Sequence, residues 1–133
     1  MKEFCLYWLP VILLALAIFI QSSLPAPELL PHVYMSDKLL HVIVYGILAA
    51  LCYRALRRAS AMKNQSVWSL TLTAIIMASL YGLSDEWHQS YVVSRRADIF
   101  DLLADFIGSG IGAITYAGLV SVLSIRVSQK FFL

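Results

Sequence analysis

Thirteen polar residues gather in three short segments of an otherwise apolar chain. Asp37, Lys38, His41 and Tyr45 form the first, and Ser84, Asp85, Glu86, His88 and Gln89 the second. Arg95, Asp98, Asp101 and Asp105 form the third. Carboxylates near imidazoles suit proton transfer, with Glu86 or Asp101 as base and His41 or His88 as acid. The same set suits recognition without chemistry. Lys38, Arg95 and Arg96 can engage phosphate, because a guanidinium fork binds it in a bidentate way, while Glu86, Gln89 and Asp101 take hydroxyls or amides. A third use is structural, as an ion-pair and hydrogen-bond network tying helix ends together. No serine or cysteine stands beside a histidine in a recognisable nucleophilic arrangement. His41, Glu86, His88 and Asp98 are metal-ligating types, but Glu86-x-His88 is no helical ligand spacing and no HExxH is present, so neither metal nor cofactor is expected.

The elements that must position these groups are membrane helices. The chain has 133 residues, 60% of them hydrophobic, and its mean hydropathy of +0.77 lies far from that of a soluble domain. Four apolar runs, at about 4–20, 39–56, 67–83 and 99–125, approach the ~20 residues needed to cross a hydrocarbon core. In lipid such unbroken runs satisfy their backbone only as helices. The expectation is a single all-α domain over 1–133, a four-helix transmembrane bundle. The first run is longer than a signal-peptide core and prolines crowd any cleavage region, so it reads as a retained helix. Cys5 and Cys52 fall toward one end of their helices and read as apolar fillers rather than a disulfide.

Positive charge is uneven. The link between the second and third runs carries Arg54, Arg57, Arg58 and Lys63 without an acid, and the tail carries Arg126 and Lys130. Both termini and that link are therefore expected in the cytoplasm, an N-in/C-in topology for a multi-pass membrane protein. All three polar segments then lie at the outer face. The first link, with Pro25, Pro27 and Pro31, excludes regular helix. His32 reads as an exposed loop residue, and Ser36 or Asp37 as the N-cap of the second helix. An aspartate at a helix centre costs roughly 2.5–3.5 kcal/mol on insertion scales, so groups at such depth usually have partners or a task.

Spacing then groups them. Asp37, His41 and Tyr45 stand at i, i+4 and i+8 and share one helical face, and Asp98, Asp101 and Asp105 at i, i+3 and i+7 share another. Asp105 lies about 10 Å below Asp98 along the axis. Glu86, His88 and Gln89 are expected in the turn preceding Arg95. The simplest arrangement joins all three segments as walls of one outward-facing pocket, where Lys38, Arg95 and Arg96 offset the carboxylates. Its substrate-binding set is Asp37, Lys38, His41, Tyr45, Glu86, Gln89, Arg95, Asp98, Asp101 and Asp105. Gly108 and Gly112 form a small-xxx-small face, for packing within the bundle or as a homodimer seam.

Three segments carry a resemblance: Ser36-Asp37-Lys38-Leu39-Leu40-His41 with Tyr45; Tyr81-Gly82-Leu83-Ser84-Asp85-Glu86 with His88-Gln89; and Arg95 with Asp98 and Asp101 ahead of Gly108. In this order they resemble VanZ-like membrane proteins. The resemblance implies a small integral protein of the bacterial envelope, linked to glycopeptide (teicoplanin-type) resistance. Membrane lipids, a lipid-linked wall precursor or a glycopeptide are the partners it suggests, and nucleic acid is not among them. Two positions depart from the pattern. Val93-Ser94 replaces the usual Pro-Gly, and Asp105 stands where asparagine is expected.

Overall fold

The computed structural model describes residues 2–25, 34–59, 62, 64–93 and 95–130, with side chains from 4–25, 37–59, 62, 64–93 and 95–123. Most of the proline-rich link, with His32, lies outside the described residues, as do Lys63, Ser94 and the side chains of Ser36, Arg126 and Lys130. Four helices follow in order: α1 (Lys2–Ser22), α2 (Tyr34–Arg58), α3 (Val67–Gln89) and α4 (Ile99–Lys130). All four are long and apolar enough to cross a membrane.

The bundle is inside-out relative to a soluble protein. Leu6, Leu9, Ile12, Leu13, Leu16 and Phe19 of α1 all point outward, where lipid rather than water would meet them. The interior is rich in small residues, Ala49, Ala74, Ala78, Ala113 and Ala117, joined by Tyr45 and Tyr53 and by a few aliphatics such as Leu48, Leu56 and Leu70. Lipid chains are as apolar as leucine, so helices associate through close packing rather than exclusion of water, and small residues permit it.

Glycine sets the tightest contact. A Cβ on Gly112 would run into the Gly46 carbonyl of α2, and one on Gly108 into the Val42 carbonyl. The i, i+4 pair on α4 therefore lies flat on an i, i+4 pair on α2, and the Gly108–Gly112 face is occupied by α2 within one chain. By contrast, nothing lies within 4 Å of a Cβ built on Gly110 or Gly118.

Two helix ends differ from the sequence expectation. α3 continues to Gln89 instead of stopping near residue 83, so Glu86, His88 and Gln89 are helical and not in a turn. Pairing of Asp85 and Glu86 with other helices removes the cost that would have ended an apolar span there. α2 begins at Tyr34, which places Asp37 in its first turn rather than at its cap; a carboxylate there still meets the positive end of the helix dipole. Ser66 caps α3 as its side chain accepts from the Ser69 amide at 3.1 Å. At the opposite end of the bundle from the acidic residues, Arg54 and Arg58 stack over the Tyr7 ring at 5.0 and 5.4 Å. That contact gathers the start of α1 and the basic end of α2 at one pole.

Candidate functional site

The acidic pole is built from all four helices. From α2, Lys38 pairs with Asp98 at 2.6 Å and with Asp101. Asp98 does two jobs, since its other oxygen accepts from the Phe100 amide at 2.9 Å and caps α4. Glu86 of α3 accepts from the Asp98 amide at 2.9 Å, so the start of α4 is held by carboxylates from its own cap and from α3. One turn deeper, His41 Nδ1 meets Asp105 Oδ1 at 2.8 Å. The Asp105 side chain is fully buried. Gly82 makes room for it: a Cβ there would stand 2.6 Å from Asp105 Oδ2.

A second node centres on Asp85, whose Oδ2 accepts from Ser22 (2.9 Å), Gln89 (3.1 Å) and Tyr45 (3.2 Å). These donors come from α1, α3 and α2, so one carboxylate oxygen links three helices. The other oxygen, Oδ1, is buried and has no hydrogen-bond partner among the described residues.

Nine of the ten expected binding residues, on α2, α3 and α4, meet at this pole. Arg95 behaves differently. It was expected to offset the carboxylates, but it donates to the Leu24 and Gln21 carbonyls at 3.0 and 3.1 Å. The Gln21 carbonyl lies in the last turn of α1, where it also accepts from the Leu24 amide at 3.2 Å. Leu24 lies just past the helix end, so a cation there meets the negative end of the dipole. Arg96 is exposed. The carboxylates of the pole thus hold Lys38 as their paired lysine, and acceptors outnumber donors.

His88 stands apart from His41. It stacks on Phe19 at 4.7 Å, and its Nε2 lies 3.0 Å from Ser23 Oγ. Ser23 also donates to the Phe19 carbonyl at 2.7 Å, which competes with a bond from its hydroxyl to Nε2. Ser22 and Ser23 were not singled out from the sequence as site residues, and Gly82 entered only as part of a motif. The serines lie in a polar cluster that also reads as a helix breaker, and only the packed structure shows what Gly82 faces.

Between α1 and α2, over α3, opens a cleft of about 260 Å³. Its polar part is lined by Asp37, His41, Tyr45, Asp85, Gln89 and Arg95, and its inner part by Leu14, Ala17, Ile18 and Val44. A larger groove of about 550 Å³ between α3 and α4 is lined by apolar side chains with one serine, Ser79. Hydrocarbon would fill that groove without any group to orient it. The α1–α2 cleft is amphiphilic and meets the polar pole directly.

The sequence profile of the VanZ/LLP1 family matches residues 5–123, nearly the whole chain. The chain belongs to the VanZ/LLP1 family. With four candidate spans, it is a multi-pass membrane protein. No curated protein and no solved structure shows significant similarity to it. In this VanZ-family chain, all three motif segments supply side chains to the one pole.

Proposed function

We propose that this VanZ-family protein recognises the head group of an envelope amphiphile in the α1–α2 cleft. The observation that carries the reading is the cleft's division into a polar part and an inner apolar part. An amphiphile entering from the membrane would place its chain against Ala17 and Val44 and its head against Asp37, Asp85 and His41. Size narrows the class. Pockets that enclose drug-sized ligands run about 300–1,000 Å³, so about 260 Å³ suits a head group or one sugar of a lipid-linked wall precursor, and not a whole glycopeptide. Chemistry narrows it further. The lining offers carboxylates, one with an unpartnered oxygen, which favours donor-rich heads bearing an ammonium or several hydroxyls. Arg95, at the rim, adds a cationic group suited to the phosphate of such a head. In this reading a teicoplanin-type resistance role passes through the displayed lipid rather than through binding of the drug.

Labour within the pole is divided. Lys38, Asp98 and Asp101 tie α2 to α4, while Asp37, His41 and Asp85 face the ligand. No acid–base step is part of this proposal.

In mixed micelles, phosphatidylethanolamine or a glycosyl diacylglycerol should raise the melting temperature by several degrees over phosphatidylcholine of the same chains, by mass action on the folded state. Asp85→Asn should remove that preference. Equal stabilisation by all three lipids would refute head-group recognition.

We place the polar pole outside and the Arg54–Arg58 end in the cytoplasm of the inner membrane, on the strength of the basic link. Reporter fusions after Arg58 and after Val93 test this. The first should signal inside and the second outside; the reverse pattern would invert the site.

A further inference from the structure

Below the Lys38 ion pairs lies a second grouping, which shares only His41 with the head-group reading. His41 of α2, Glu86 of α3 and Asp105 of α4 each present a ligating atom within 4.8 Å of the others. Two carboxylates and an imidazole from three helices form a mixed nitrogen and oxygen set, the donor type that first-row divalent metals take. Such an ion holds ligands at about 2.0–2.2 Å, so its donors stand roughly 3–3.5 Å apart. With no two of these atoms more than 4.8 Å apart, closing the triad needs a contraction of roughly 1–2 Å at most.

An independent observation points the same way. Asp105 is completely buried, yet its Oδ2 has no hydrogen-bond partner among the described residues. It faces α3 at Gly82, one turn before Glu86. Of the Glu86 oxygens, Oε2 is taken by the Asp98 amide, whereas Oε1 receives only a long contact of 3.5 Å from Gln89. The triad therefore retains acceptor capacity on both acids. An orphaned buried oxygen costs about 1–3 kcal/mol, more when charged, and a cation is the ligand that removes this cost.

A second triad, Asp37, His41 and Asp101, shares the histidine. It is the weaker site: Asp101 is already paired with Lys38, and Asp37 is exposed.

We propose that His41, Glu86 and Asp105 bind one divalent transition-metal ion, Zn²⁺ or Mn²⁺, bracing α2, α3 and α4 beneath the cleft. The histidine binds as neutral imidazole, so its one ring proton resides on the nitrogen that does not hold the ion. The site shares His41 with the proposed lipid cleft, but its two carboxylates, Glu86 and Asp105, are not part of that reading, so it stands whether or not the cleft takes a head group.

The test uses full-length protein in detergent, stripped with chelator and then given Zn²⁺ alone or Mn²⁺ alone. Bound metal per chain is counted by mass spectrometry after desalting, and melting is followed in parallel. Wild type should retain close to one equivalent of one of these ions and melt higher with it. Glu86→Gln keeps an oxygen for the Asp98 amide and should fold, yet bind at least tenfold more weakly. Asp105→Asn should do the same. Asp37→Asn should leave binding unchanged. The proposal is overturned if wild type retains neither ion, if Glu86→Gln retains as much as wild type, or if Asp37→Asn abolishes binding.

Discussion

Replacing Lys38 with methionine is expected to cost about 3 kcal/mol of stability, the loss typical of breaking a buried ion pair from one side. Methionine preserves most of the side-chain volume, so the effect isolates the charge. Lys38 and Asp101 are largely buried, with side-chain exposures of 17% and 10%. Removing the ammonium leaves the Asp98 and Asp101 carboxylates facing each other near the membrane boundary. The penalty comes mainly from those stranded charges and not from the lost attraction itself. Combining Lys38→Met with Asp101→Asn should therefore recover much of the loss, although it removes a second member of the pair. Unfolding of the purified protein in mixed micelles measures both. A single-variant loss under about 1 kcal/mol would mark the pair as an ordinary surface contact.

The second large effect is expected from one methyl group. Gly112→Ala should destabilise the bundle by about 3 kcal/mol, the upper end of the usual overpacking range. Its new Cβ would strike the Gly46 backbone, and backbone cannot swing aside as a side chain can. Relief requires α2 and α4 to separate, which would pull His41 from Asp105 and Lys38 from Asp98 and Asp101. Loss of fold and loss of site should therefore appear together, as low folded yield and loss of any bound amphiphile. Gly110→Ala is the control. Open space surrounds that position, so it should be neutral or gain the ~0.5–1 kcal/mol by which alanine exceeds glycine in a helix. Equal behaviour of the two variants in the same unfolding assay would mean that α2 and α4 do not pack through these glycines.

The sequence made the helices legible because lipid leaves the backbone no alternative, and long apolar runs are their direct record. It also showed which stripes face inward: Asp37, His41 and Tyr45 on α2, with Asp98, Asp101 and Asp105 on α4, share faces by simple helical arithmetic. The partners across the bundle were less accessible. Arg95 carries the same charge whether it meets a carboxylate or a helix-ending carbonyl, and only the position of α1 decides between them. The end of α3 was misjudged for a related reason. Ser84, Asp85 and Glu86 look like the close of an apolar span when read alone, and Asp85 is sustained there by Ser22 and Tyr45 from helices distant in the chain. The His41–Glu86–Asp105 triad has no local spacing at all, because each ligand comes from a different helix.

Two kinds of acidic group thus coexist at one pole. Asp98 and Asp101 are tied to Lys38 and hold α2 against α4. Asp85, in contrast, keeps one oxygen without a partner among the described residues, and Asp37 is exposed beside a cleft with an apolar wall. The first kind explains how a chain this hydrophobic tolerates its charges, and the second supplies what a ligand would recognise.

Native mass spectrometry of protein extracted directly from its membrane is the most direct measurement of that recognition. Ala17 lines the cleft and is exposed, so Ala17→Trp should fill the opening without disturbing the core. Wild type should carry a bound amphiphile with a donor-rich head group, and Ala17→Trp, folded and melting normally, should carry none. Equal occupancy in the two proteins, or an empty wild type, would contradict the cleft as a binding site.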